Sequence, residues 1–145
     1  MRRLRPCETA ANVLEVDYDR LFSSGIRALL FDLDYTLGPR HMPSLPLESD
    51  RLLRRLDDRG FRIGILTNRR FASEDPVIRA LGQRYPTLHH ARKPLSWGYL
   101  TILERLGVRP QSAAMLGDRR FTDVFGANRL GIYSILVRGA DVPRS

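Results

Sequence analysis

Residues 26–34 read IRALLFDLD, an apolar run that ends in two carboxylates, Asp32 and Asp34. The apolar positions follow one another without the alternation of a half-wet strand. Such a run is expected of a strand buried on both faces, as in a parallel sheet covered by helices. Downstream, GPRHMPSLP (38–46) is a loop by its Pro and Gly content. In LESDRLLRRLDDRG (47–60), Leu52, Leu53 and Leu56 make an apolar stripe and Gly60 supplies a helix stop. FRIGILTN (61–68) follows as a second strand, EDPVIRALGQR (74–84) as a short helix and PTLHHA (86–91) as a weak third strand. PLSWGYLTILERLG (94–107) predicts a helix opened by Pro94 in its first turn. Its Tyr99, Ile102, Leu103 and Leu106 share one face and Gly107 closes it. SAAMLGD (112–118) is a fourth strand, FTDVFGANRLG (121–131) a helix and YSILV (133–137) a fifth strand. Upstream, one short helix is expected near DYDRLFSSG (17–25).

Strands alternating with helices define βαβ units. The predicted fold is therefore α/β, a Rossmann-like three-layer α/β/α sandwich around a central parallel sheet. At 145 residues, one domain is the natural size. An apolar fraction of 43% is enough for a core, and no apolar run approaches the roughly 20 residues that span a bilayer. The start, MRRLRPCETAAN, is basic without an apolar stretch behind it, so no secretory signal is expected. The single cysteine, Cys7, excludes a disulfide framework within one chain and fits a reducing cytoplasm. The net charge of +8 favours anionic partners: a phosphorylated substrate, an anionic membrane surface or nucleic acid. An arginine-biased composition accounts for the overall charge equally well.

In an open α/β sheet, ligands bind beyond the carboxyl ends of the strands. Four segments gather there: DLDYT, TNRR, HARKP and GDRRFTD. Residues two apart on extended backbone share a face, so Asp32 and Asp34 are expected to point into one space. Two close anions repel unless a cation neutralises them. The pair suits a hard cation such as Mg²⁺, and equally a division of labour between a nucleophile and a proton shuttle. A single Asp would be an ordinary cap; two with Thr36 are less easily explained that way. Thr67 and Asn68 end the second strand and offer a hydroxyl and backbone N–H groups to phosphate oxygens, although Thr-Asn is also a common turn. Lys93 is the only lysine beside 23 arginines, which weakens its reading as a generic surface cation. An ammonium there offsets repulsion between an attacking carboxylate and a phosphate. Asp118 could complete an oxygen-ligand metal site, and Asp123 could hold Lys93 or a metal-bound water. His89 and His90 are adjacent and are not expected to share a metal. Trp97 is expected to pack.

The order Asp-x-Asp-x-Thr, Thr, Lys, Gly-Asp-x₄-Asp, each after a successive strand, resembles the haloacid dehalogenase superfamily of phosphohydrolases. The resemblance runs from about Arg27 to Val137. It implies Asp32 as nucleophile, Asp34 as acid/base, Thr67 (with Asn68) at the phosphate and Lys93 as charge stabiliser. It further implies Mg²⁺ on the Asp32 carboxylate, the Asp34 backbone carbonyl and the Asp118 carboxylate, with Asp123 in support. Asp34 and Thr67 lie 33 positions apart, and Thr67 and Lys93 lie 26 apart, which leaves no room for an inserted cap domain. The expected organisation is an N-terminal extension (1–26) packing on a catalytic domain (27–138), followed by a short tail (139–145).

The strings ARKP and GDRRFTDVFGANRLG look like the cap-less branch that includes phosphatidylglycerophosphate phosphatases. That likeness implies removal of a terminal phosphate from a lipid head group at the cytoplasmic membrane face. An anionic interface would add about 1 kcal/mol per well-placed cation. Tyr35 stands where that branch usually carries Asn. A soluble sugar phosphate, a nucleotide or a polynucleotide end is the alternative substrate, and a non-catalytic partner-binding module the alternative from another class. Arg40, His41, Arg69, Arg70, Arg92, Arg119 and Arg120 in the site loops suit either kind of phosphate.

Overall fold

The computed structural model describes residues 2–70 and 74–138; the expected tail, 139–145, lies outside the described residues. Six strands form one sheet, all paired in parallel. They are β1 (Glu8–Ala10), β2 (Ala28–Phe31), β3 (Arg62–Leu66), β4 (Thr87–Leu88), β5 (Ala113–Gly117) and β6 (Tyr133–Val137), in the spatial order β1-β6-β5-β2-β3-β4. The helices are α1 (Tyr18–Ser23), α2 (Leu47–Arg59), α3 (Pro76–Gly82), α4 (Ser96–Leu106) and α5 (Gly126–Leu130). The expected Rossmann-like α/β/α sandwich is what forms.

Strand β2 is buried along its whole length because both of its faces are covered. Leu29 and Phe31 point into a core shared with Leu21, Leu52, Leu53, Leu56, Ile78 and Leu81, from α1, α2 and α3. Ala28 and Leu30 point the other way, against Tyr99, Ile102, Leu103 and Ala127 of α4 and α5. Each large side chain so buried contributes roughly 1.5–3 kcal/mol relative to exposure. The apolar stripe read from 47–60 is the buried face of α2, and Gly60 ends that helix at φ 111°, a backbone conformation that favours glycine.

The sequence reading is corrected at five places. It lacks β1, a three-residue edge strand without an apolar run; its pairing with β6 (Glu8↔Ile135, Ala10↔Val137) creates it. The third strand shrinks to Thr87–Leu88, and His90 and Arg92 beyond it take positive φ. Pro94 precedes α4 instead of opening it, because the chain at Lys93 is clamped in loop geometry by Asn68 and the helix starts only at Ser96. The helix expected from Phe121 begins as a π-helical turn, Arg120–Phe125, before α5. Trp97 does not pack; it is 52% exposed.

The chain leaves β2 toward β3 and β4, then crosses back to β5 and β6. The direction therefore switches between the neighbours β2 and β5, and a crevice opens beyond their carboxyl ends.

Candidate active site

Asp32 follows β2 and Asp118 follows β5, so adjacent strands deliver them to that crevice side by side. The Asp32 amide continues the ladder by donating to Leu116 O at 2.9 Å. The backbone then turns at Tyr35 (φ 63°), whose amide donates to Gly38 O at 2.8 Å. Asp34 stands at the start of this turn. Its carboxylate receives the Arg69 guanidinium, and the same guanidinium reaches Asp75. Asp75 caps α3, accepting from the Val77 and Ile78 amides at 2.9 and 3.1 Å. Asp34 is thus tied to α3 through one arginine.

Lys93 reaches the crevice from the opposite side. The Asn68 side chain holds its backbone at both ends. Asn68 Oδ1 accepts from Lys93 N at 2.7 Å, and Asn68 Nδ2 donates to Lys93 O at 2.9 Å. The ammonium is buried and donates to Asp32 Oδ1 at 2.9 Å and Asp123 Oδ1 at 2.7 Å. The other Asp123 oxygen accepts from Arg119 N at 3.1 Å. The π turn carrying Asp123 is pinned from below by Tyr99, whose hydroxyl donates to Thr122 O at 2.5 Å. Gly117 is required here: a Cβ on it would lie 2.2 Å from Asp123 Oδ2. That is the physical content of the Gly in Gly-Asp-x₄-Asp.

Burial pushes the Asp32 carboxyl up, the Lys93 ammonium opposes this, and the Asp118 carboxylate adds to it. Burial also pushes Asp123 up to about 6, against Lys93. For Lys93, burial alone would favour loss of the proton; Asp123 and Asp32 overcome it and hold the ammonium above its ordinary value. Asp32, Asp118 and Asp123 each place one carboxylate oxygen within 4.8 Å of the others, all three buried. Asp32 and Asp123 share one ammonium, and Asp118 stands beside them in the same desolvated place. That donor set, all oxygen, fits a hard divalent cation.

An open cleft of about 230 Å³ lies above the group, lined by Asp32, Asp34, Thr67, Asn68, Lys93 and Arg119, among others. Of the candidate catalytic, phosphate and metal residues, Asp32, Asp34, Thr67, Asn68 and Lys93 line it, and Asp118 and Asp123 sit with Asp32 in the acidic cluster; of the site-loop residues Arg40, Arg69 and Arg119 line it, while Thr36, His41, Arg70, Arg92 and Arg120 do not. The structure adds what sequence reading did not supply: the Asn68 clamp on Lys93, the Arg69 bridge from Asp34 to Asp75, and the Tyr99 support. Asp75 before Pro76 carried a legible capping signal; Tyr99 was read only as core. His89 and His90 join no cluster of three or more metal-ligating groups among the described residues. No helix among the described residues is long and apolar enough to cross a membrane.

A model of the haloacid dehalogenase-like hydrolase family matches residues 13–131, and the chain belongs to that family. Among its relatives is a probable phosphatase, YqeG, of Bacillus subtilis, 24% identical over 91% of this chain and 76% of that protein. Phosphatidylglycerophosphate phosphatase 1 (chloroplastic) of Chlamydomonas reinhardtii is 28% identical over 92% of this chain. Glyceraldehyde 3-phosphate phosphatase of Methanopyrus kandleri is 29% identical over 59%. The chain spans only 52% and 40% of these last two proteins. In fold it is similar to a haloacid dehalogenase-type phosphatase from Thermococcus onnurineus (TM-score 0.62, 19% identity, 83% of this chain and 89% of that one). A hydrolase of the same superfamily from Geobacter sulfurreducens is similar as well (TM-score 0.58, 18% identity, 81% and 92%). The chain is a hydrolase of the phosphatase kind.

Proposed function

We propose that the protein is a Mg²⁺-dependent phosphomonoesterase that works through a phosphoaspartate at Asp32. The observation that carries this reading is the ammonium of Lys93, buried between Asp32 and Asp123 at the floor of an open cleft. An Asp32 oxygen attacks phosphorus and the bond to the leaving alcohol breaks. Asp34 gives that oxygen its proton. Asp34 then takes a proton from a water that attacks the phosphoaspartate, and Asp32 and inorganic phosphate are regenerated. Thr67 and the backbone around Asn68 bind phosphate oxygens, and Lys93 offsets the repulsion between two anions. Asp32, Asp118 and the backbone of Asp34 would hold the Mg²⁺, with Asp123 in support. The cation would supply charge neutralisation on the phosphoryl group.

The favoured substrate is a phosphatidylglycerophosphate-like lipid head group met at the anionic cytoplasmic membrane face. Three things support it: the open cleft, the net charge of +8 and the likeness to the algal lipid phosphatase. A second reading, a soluble phosphate ester, is favoured by the likeness to the archaeal glyceraldehyde 3-phosphate phosphatase. The test is a panel of lipid and soluble phosphomonoesters with Mg²⁺, run on the wild type and on Asp32→Asn. The expected result is a folded Asp32→Asn protein whose turnover is lower by roughly 10⁴-fold or more. Unchanged turnover in that variant would remove the mechanism. Release of phosphate from soluble esters alone would replace the lipid reading with the second one.

A further inference from the structure

The catalytic cleft does not end at Asp34. It continues into a larger groove of about 860 Å³ that shares Tyr35, Arg40, Arg119 and Thr122 with it. The outer groove is lined by Arg120 and Arg138 in addition to Arg40 and Arg119, and by Phe121. Among the described residues its only carboxylate is Asp118, which belongs to the acidic cluster. The two cations of the inner cleft floor are committed: Lys93 to Asp32 and Asp123, Arg69 to Asp34 and Asp75. By contrast, no ion pair among the described residues engages Arg40, Arg119, Arg120 or Arg138. Arg120 makes one neutral contact, to Leu4 O at 3.3 Å. Three separate elements bring the four guanidinium groups to one groove: the loop after β2, the turn after β5 and the end of β6.

A single transferred phosphate does not need this many cations, and it would sit in the inner cleft beside Asp32. We propose that the outer groove is a subsite for a second anion, a phosphate or phosphodiester carried by the leaving group of the substrate. This rests on the phosphatase reading above and sharpens its substrate class to a doubly anionic phosphomonoester. Arginine suits the task because its planar fork meets two phosphate oxygens at once. Phe121, 60% exposed, offers an apolar surface for the carbon linker between the two anions. A lipid head group, a sugar bisphosphate and the phosphorylated end of a polynucleotide all present this chemistry.

The experiment compares paired substrates of which one member carries a second anion. The pairs are fructose 1,6-bisphosphate and fructose 6-phosphate, a 3′-phosphorylated dinucleotide and mononucleotide, and phosphatidylglycerophosphate and phosphatidic acid in mixed micelles. The expected result is a higher kcat/KM for the doubly anionic member of at least one pair. Arg138→Gln and Arg120→Gln together should lower that preference roughly tenfold, through KM. Arg105→Gln, at the end of α4 that lies beside the amino ends of the strands, controls for net charge and should leave the preference in place. The pair showing the effect identifies the source of the anion. A preference absent in all three pairs, or untouched by the double variant, overturns the subsite. Titration calorimetry of Asp32→Asn with glycerol 1,3-bisphosphate and glycerol 3-phosphate reads binding without turnover. Tighter binding of the bisphosphate, weakened by the same arginine changes, supports the subsite even if catalysis fails. Equal binding overturns it.

Discussion

Two carboxylates two residues apart in the sequence end in opposite surroundings. Asp32 is 10% exposed and faces an ammonium that is 2% exposed. Asp34 is 21% exposed and faces a guanidinium that is 12% exposed. The inner pair is anchored by main-chain contacts: Asn68 clamps the Lys93 backbone and the Asp32 amide sits in the sheet ladder. The outer pair also has main-chain anchors, Arg69 N on Thr67 Oγ1 and the His90 amide on Arg69 O, but its carboxylate is wetter and meets a guanidinium shared with the helix cap Asp75. A nucleophile benefits from one fixed position, because small misplacement costs rate. A proton shuttle must change partners during turnover, and a partly wet, side-chain tether permits that. The division of labour assigned to the two acids thus corresponds to a difference in how wet they are and in whether their cation is shared outside the site.

The sharpest way to break this comparison is to remove the inner cation. Lys93→Met should lower turnover by roughly 10³-fold or more, since it takes away charge compensation at the reacting group. It should also destabilise the protein by about 3–5 kcal/mol at neutral pH, the usual cost of leaving buried charge unpaired. Much of that loss should be recovered near pH 5, where the carboxylates that faced Lys93 take up protons. Denaturant melts at the two pH values check this. Equal destabilisation at both would show that Lys93 acts through packing alone. Lys93→Arg should not rescue turnover, because a buried site shaped for a compact ammonium has no room for a planar fork.

The outer pair should respond more mildly. Asp34→Asn should cost roughly 10²–10⁴-fold in turnover, the range for loss of general acid–base assistance, with little change in thermal stability. Arg69→Gln should cost less, roughly tenfold. It frees Asp34 to sample wrong rotamers but leaves its carboxylate in place. Steady-state kinetics would show the two variants ordered in this way. An Arg69→Gln protein as impaired as Asp34→Asn would mean that Arg69 itself meets the substrate.

Much of this contrast was legible in the sequence, and the rest was not, for physical reasons. IRALLFDLD carried both the buried strand and its two terminal acids, because burial on both faces writes itself as an unbroken apolar run. The solitary lysine stood out against 23 arginines. What fixes Lys93 in place did not stand out: Asn68 lies 25 positions away, and a reciprocal amide-to-backbone pair has no periodic signature. Arg69 was visible as a site-loop cation, but its partners, Asp34 and Asp75, are brought together only by the crossing of β3 beside β2. β1 was invisible because an edge strand of three residues is made by its neighbour.

The mildest perturbation, a change of pH, tests the acidic cluster. Asp123 is held up to about 6 in the folded protein, against an ordinary 3.8. An acid raised in this way contributes stability that is fully present below about 3.8 and is lost as pH rises through about 6. In the metal-free protein, then, this group should weaken the fold by roughly 2–3 kcal/mol between pH 4 and pH 7. A divalent cation requires the deprotonated form, so its stabilising effect should run the other way and grow with pH. The measurement is the thermal shift produced by Mg²⁺ over EDTA at pH 5 and pH 7, for the wild type and for Asp123→Asn. For a chain of this size 1 kcal/mol corresponds to about 2–4 °C. The wild type should gain more from Mg²⁺ at pH 7 than at pH 5, and Asp123→Asn should lose most of that difference. A cation effect of equal size at both pH values would mean that the three buried carboxylates do not act as one site. The inner pair would then owe its position to Lys93 alone.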